Sequence, residues 1–160
     1  MRRRWLAAAL ALAAVLAGCS STRPYRLPED AAERLEKRTF RWPVTGTVSS
    51  GFGDRAGRHH DGVDILAPAG AEVHAADEGV TVYAGNRMRG YGNAVVLDHG
   101  DGVRTLYGHL RTIRVKSADA VPAGAVIGTV GRTGNATAYH LHFELWVDGE
   151  PVDPLAYLAP

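Results

Sequence analysis

Three stretches of this chain carry histidines at spacings that could do chemistry. The first is AYHLHFELW, residues 138–146, where His140, His142, Glu144 and Trp146 recur at every second position. A strand alternates its faces with a period of two, so these four share one face and Leu141, Phe143, Leu145 and Val147 take the other. The apolar face suits a core. The polar face offers two imidazoles and a carboxylate, groups that bind metals and move protons. The second stretch is RHHDGVDILAPAG, with His60 and Asp64 four apart around Gly62. Gly62, Val63 and Ile65 are poor helix residues and Pro68 stops any helix, so the segment reads as a strand. Four is even, which puts His60 and Asp64 on one face, with Gly62 leaving space between them and His59 pointing the other way. The third is TLYGHL, where His109 closes a strand after Gly108.

Each stretch alone has an ordinary reading as surface histidines. Together they match the needs of a catalytic zinc, which takes three protein ligands from His, Asp and Glu and keeps a fourth position for water. His60, Asp64 and one member of the H-x-H pair make such a set. Two histidines are left over, of the right type for general acid–base work near neutral pH. His74 and His99 read as structural, His99 in a hairpin turn. Glu144 reads as a supporting partner of the site, because the chain has no H-E-x-x-H helix in which a glutamate would serve as the base. Two histidines and a carboxylate also form the facial triad of iron oxygenases; an export signal and two spare histidines speak against that class.

The elements that must position these groups are strands. From about Phe40 onward the chain runs in short segments rich in Val and Gly, among them AEVHAA, GVTVYAG, NAVVLDHG, GVRTLYGHL, TIRVK, AVIGTVG and HLHFELWVDG, with glycine-bearing turns between most of them. LDHGDGVRTLY reads as a hairpin turning at Gly100, Asp101 and Gly102. The expectation is an all-β, compact antiparallel domain over residues 41–160, large enough to bury roughly two-thirds of its unfolded surface.

The N-terminus reads differently. MRRRW followed by the apolar run LAAALALAAVLA is shorter than the roughly 20 residues that span a bilayer, and residues 1–18 are expected to be a secretory signal. The run ends in LAGCS, with the only cysteine, Cys19. This resembles a lipobox and implies a lipid on Cys19 as membrane anchor. With no second cysteine, no internal disulfide can form. Ser20, where a retention signal would carry aspartate, points to the outer membrane over the inner one in a diderm host. Residues 19–40 are expected to be a lipidated tether in which PEDAAERLEKR forms a short helix with few apolar anchors, only Ala31, Ala32 and Leu35. The charge balance, 18 basic against 17 acidic residues, argues against nucleic acid as a partner.

FGDR, HDGVD, GYGNAVVLDHG, YGHL, GRTGNATAYHLHFEL and DP follow in one order over residues 44–158. That series resembles the LytM/lysostaphin-like zinc metallopeptidases, which cleave peptide bridges in bacterial cell walls. The resemblance implies the antiparallel LytM (duplicated hybrid motif-like) fold and one Zn2+ held by His60, Asp64 and His142. It makes His109 and His140 the non-ligand catalytic histidines. It also implies hydrolysis of peptidoglycan peptide cross-links at the cell envelope. Some relatives have lost ligands and instead switch on separate cell-wall amidases. Here all five positions are filled, so an enzyme is expected, with the activating module as the alternative and a divisome or amidase partner left open. One departure is Tyr139, in AY before the H-x-H pair where small or Gly-Pro pairs are usual; it bears on specificity. Whether the bond cut is D-Ala to diaminopimelate or a glycine bridge is not legible.

Overall fold

The computed structural model describes residues 29–160 apart from Ala56. The expected signal, Cys19 and the first part of the tether lie outside the described residues. A helix, α1 (Glu29–Glu36), precedes twelve strands: β1 (Thr47–Ser50), β2 (Gly53–Arg55), β3 (Arg58–His60), β4 (Val63–Leu66), β5 (Glu72–His74), β6 (Gly79–Gly85), β7 (Asn93–Asp98), β8 (Val103–Ile113), β9 (Ala120–Val121), β10 (Val126–Val130), β11 (His140–Val147) and β12 (Glu150–Val152). A 3-10 turn, Pro154–Ala156, follows. Ten strands form one sheet in the order β1-β4-β11-β8-β7-β6-β9, with β10 joining β5 to β8 and β12 on β11; β2 and β3 pair separately. Every ladder among these strands is antiparallel. The all-β expectation therefore holds, and the hairpin at Gly100–Gly102 is the β7–β8 turn.

The middle of the sheet fixes the site. β11 lies between β4 and β8, and His142 is opposite Asp64 on one side and Gly108 on the other. Beneath that row, Leu141, Phe143, Leu145 and Val147 join Val63, Ile65, Val95, Leu97 and Tyr107 in one buried cluster. Each such side chain contributes about 1.5–3 kcal/mol on leaving water, so the site is carried by the most heavily packed strands of the molecule.

Three local expectations need correction. RHHDGVDIL is two strands, not one: β3 pairs with β2, and after a break at Asp61 and Gly62, β4 pairs with β1 and β11. Gly62 does not make room between His60 and Asp64. A Cβ there would lie 2.3 Å from the Phe143 carbonyl oxygen and 2.7 Å from Glu144 Cγ, so the glycine lets the chain press against β11. His109 does not close a strand; β8 continues through it to Ile113. The strand pairs with β11 up to Gly108 and with β10 from Leu110, and His109 sits at the change of partner.

The tether expectation also changes. Ala31 and Leu35 are fully buried in the main cluster with Phe40, so α1 is docked on the core rather than held out as a tether. Truncating a buried leucine of this kind costs about 2–5 kcal/mol. Arg38 reinforces the contact, pairing with Asp77 at 3.0 Å and donating to the His99 carbonyl at 2.8 Å. Arg34 reaches Asp148 at 2.5 Å, and the expected Glu33–Lys37 pair forms at 2.8 Å on the exposed face.

Candidate metal centre

His60, Asp64 and His142 converge on one face of the sheet. His60 Nε2 lies 3.2 Å from Asp64 Oδ1 and 3.2 Å from His142 Nδ1, and His142 Nδ1 lies 2.8 Å from the same Asp64 oxygen. An ion holding donors at about 2.0–2.1 Å in tetrahedral geometry spaces them about 3.3 Å apart. The triangle is close to that size and offers two imidazole nitrogens and one carboxylate oxygen, a donor set suited to zinc with a fourth position open. Fit is thus satisfied in spacing and in chemistry.

Each donor is aimed by a partner behind it. A carbonyl can only accept, so the 2.7 Å contact between His60 Nδ1 and the Gly51 carbonyl requires Nδ1–H and leaves Nε2 free for the centre. Arg55 also donates to this carbonyl at 3.1 Å, abuts His60 Nδ1 and lies 3.6 Å from Asp64 Oδ2. His142 Nε2 donates to Glu144 Oε1 at 2.7 Å. Glu144 is only 1% exposed, and it accepts further from the Tyr91 hydroxyl at 2.8 Å and from Trp146 Nε1–H at 2.7 Å. A buried carboxylate with three donors is fully satisfied, and it fixes both the tautomer and the plane of the His142 ring. Burial and Glu144 push the Tyr91 phenol well above its usual range, so it stays a donor.

The electrostatics follow from this enclosure. Burial raises the Asp64 pKa, but the His142 hydrogen bond and the three neighbouring imidazoles outweigh it and hold the carboxyl at about 2. Burial disfavours charge on His142 as well; the hydrogen bonds to Asp64 and Glu144 override it and raise the ring to about 9. The pocket is built for positive charge at the position between Asp64 and His142, where a cation would replace the proton.

The two remaining histidines flank the triangle. His109 and His140 lie with ring centroids 4.8 Å apart, and His109 is 5.7 Å from His142. His109 Nδ1 donates to the Thr133 carbonyl at 2.8 Å and His140 Nδ1 to the Ala138 carbonyl at 2.9 Å. Both rings are therefore Nδ1–H tautomers with the Nε2 lone pair turned to the site. His140 Nε2 stands 3.6 Å from Asp64 Oδ1. Burial first, then its two histidine neighbours, lower His109 to about 4. Its backbone is left-handed, with φ 60°, a conformation that costs a side-chain-bearing residue about 1–2 kcal/mol. The main-chain N–H of His109 donates to the Tyr91 carbonyl at 2.7 Å, which fixes the turn-out of its ring.

All five histidine and aspartate positions singled out in the sequence come together around one cleft of about 540 Å³. His74 lies on β5 beside Glu72, at 3.9 Å. His99 is buried behind the sheet, bonded to the Glu78 carbonyl at 2.6 Å and to Thr105 Oγ1 at 2.8 Å. Tyr139 is exposed, with the Arg132 guanidinium 5.4 Å from its ring centroid. Tyr91 and the Gly51 and Thr133 carbonyls were not foreseen. Trp146 carried a signal in sharing the period of His142 and Glu144; Tyr91 lay inside the quoted GYGNAVVLDHG stretch, but no spacing tied it to Glu144, because it arrives from a separate loop.

Residues 58–154 match the sequence profile of Peptidase family M23. The chain is 37% identical over 134 residues to the uncharacterized lipoprotein YgeR of Escherichia coli, a match covering 84% of this chain and 53% of that protein. It is 41% identical over 120 residues to the murein hydrolase activator NlpD of Escherichia coli, covering 75% of this chain and 31% of that one. It is 43% identical over 140 residues to the DD-carboxypeptidase/endopeptidase Mpg of Neisseria meningitidis, covering 82% and 32% respectively. The chain thus spans about half or less of the length of these curated relatives. Lysostaphin from Staphylococcus simulans has a similar structure, with a TM-score of 0.69 at 36% identity over 75% of this chain and 52% of that one.

Proposed function

The chain belongs to peptidase family M23, and from that footing we propose that it is a zinc metalloendopeptidase hydrolysing peptide cross-links of bacterial peptidoglycan. The observation that carries the reading is the single cluster formed by the Nε2–Oδ1–Nδ1 triangle of His60, Asp64 and His142 with two further Nε2 lone pairs, from His109 and His140, beside it. In this reading the triangle holds the ion. A zinc ion held there by His60, Asp64 and His142 would supply Lewis-acid chemistry, lowering the pKa of a water toward neutrality and polarising the scissile carbonyl.

The chain's own residues do the rest. His109 and His140 each accept a proton at Nε2, because their Nδ1–H bonds to backbone carbonyls fix that tautomer. The imidazole that takes the proton from the attacking water can return it from the same nitrogen to the departing amine. An N–H gained at Nε2 also donates to the oxyanion that develops on the carbonyl carbon. Glu144, held by Tyr91 and Trp146, keeps His142 oriented while this happens.

The place of action in this proposal is the cell envelope, with acylated Cys19 anchoring the chain to a membrane, in a diderm host at the periplasmic face of the outer membrane rather than the inner. Similarity to a protein named as a lipoprotein supports it. A second reading, a module that activates separate amidases, is favoured by the similarity to NlpD. Mass spectrometry of fragments released from purified peptidoglycan separates the two. Cross-linked peptides falling to monomers, and only without a zinc chelator, are expected of the peptidase. No release by the zinc-loaded chain, together with faster release by an added amidase, would establish the activator.

A further inference from the structure

The cleft carries positive charge that the chemistry above does not use. Its lining includes Arg55, Arg58 and Arg89. Arg58 lies two residues before His60 on β3, so both side chains leave the same face of that strand. In the β2–β3 register Arg58 is opposite Arg55. Arg89 comes from a separate segment, two residues before Tyr91. That segment is clamped: the Gly90 carbonyl accepts from the Asn135 N–H at 2.9 Å, and Gly92, at φ 65°, is seated so closely on Gly134 and Thr133 that a Cβ would come within 2.4 Å of both.

Among the described residues Arg58 and Arg89 make no ion pair and no side-chain hydrogen bond; Arg41, Arg87, Arg111 and Arg132 share that condition but lie outside the cleft, and the cleft's third arginine, Arg55, is paired with Asp64. The cleft's own carboxylates do not neutralise them. Asp64 is engaged by two imidazoles and Glu144 is enclosed, which leaves Asp61, whose side chain lies 3.8 Å from the His59 ring. A substrate in the cleft therefore meets exposed guanidinium groups from two separate elements. Guanidinium is a planar fork matched to a carboxylate and less well to any neutral amide.

We propose that Arg58 and Arg89 form a carboxylate-binding subsite, so that the cleft takes a peptide bearing a free carboxylate next to the scissile amide in preference to an uncharged glycine bridge. The inference rests on the cleft being the peptide-binding site of the reading above. It adds two specificity-determining residues and a substrate class. The metal's own charge also attracts anions, but it is common to all substrates, whereas the arginines belong to this chain.

Binding, not turnover, tests it, so that a failure of the peptidase reading leaves the test intact. The zinc-loaded full-length His109→Ala chain is titrated with N-acetyl-lysyl-D-alanyl-D-alanine and with the same peptide carrying a C-terminal carboxamide. The free acid is expected to bind about 10- to 100-fold more tightly, the range of hydrogen bonds to a charged group. Arg58→Gln together with Arg89→Gln should abolish that gap, Arg89→Lys should restore part of it, and Arg111→Gln, outside the cleft, should leave it in place. The gap should narrow as salt is raised. Equal affinity for acid and amide, or a gap that survives the double substitution, overturns the assignment. Tight binding without cleavage by the wild-type chain would count against the peptidase reading alone.

Discussion

At the scale of single residues the site depends on what stands behind each donor. Glu144 touches no substrate in this account, yet it holds the His142 ring through one oxygen and is itself held by Tyr91 and Trp146. Glu144→Gln keeps the shape and turns one acceptor into a donor that faces a donor. Zinc affinity should fall about 10- to 100-fold, read by competition with a fluorescent chelator, with the thermal transition of the zinc-free chain retained. An unchanged zinc affinity would remove Glu144 from the account. Local spacing narrowed the ligands to His60, Asp64 and one member of the H-x-H pair, and only the family resemblance chose His142. The even spacing of His60 and Asp64 picked residues that do converge, but on a wrong premise, since they stand on separate strands, β3 and β4. The left-handed backbone of His109 was not legible. Histidine has no intrinsic reason to adopt φ 60°; the conformation is set where β8 exchanges β11 for β10, a decision made by strands remote in sequence.

At the scale of elements the close fit of β4 to β11 brings Asp64 to His142. Gly62 marks the tightest point, since a Cβ would press on the Phe143 carbonyl and on Glu144 Cγ. Gly62→Ala should cost about 1–3 kcal/mol, as overpacked sites do, and should weaken zinc binding because both Asp64 and Glu144 are displaced. Urea unfolding with and without zinc measures both effects. An alanine variant with wild-type stability and affinity would mean that β4 can move aside freely. The glycine itself was visible in the sequence. Its purpose was misjudged because a single strand was expected where the chain makes two, and only the break at Asp61 and Gly62 aims the glycine at β11.

At the scale of the whole molecule α1 and Phe40 close the side of the sheet opposite the cleft, and His99 lies between them and the core. Its ring packs edge-on against Phe40 at 5.9 Å and bonds to Glu78 and Thr105. Burial lowers its pKa below the usual 6.5; Arg38 adds to that, while the Glu78 carbonyl, Asp77 and Asp98 oppose it. The unfolded chain therefore binds a proton here more readily than the folded one. The stabilising contribution is complete above about pH 6.5 and is lost as pH falls through the depressed folded value. Zinc-loaded wild type should lose more Tm between pH 7.5 and 5.5 than His99→Gln does, the other groups being common to both. Equal slopes would contradict the assignment. Docking of α1 was the least legible feature of the fold. Ala31 and Leu35 look too few to anchor a helix until Arg34 and Arg38 find Asp148 and Asp77, partners far along the chain.

The claim on which the rest depends is that one cluster both holds zinc and hydrolyses a peptide bond. Its most direct test is to measure zinc content and turnover of a cross-linked peptide dimer on the same samples of wild type, His142→Ala and His109→Ala. Wild type should carry about one zinc per chain and cleave with it, His142→Ala should do neither, and zinc-loaded His109→Ala should lose about 10²-fold or more in turnover. A His109→Ala chain that turns over at the wild-type rate, or a zinc-loaded wild type that never cleaves, would contradict it.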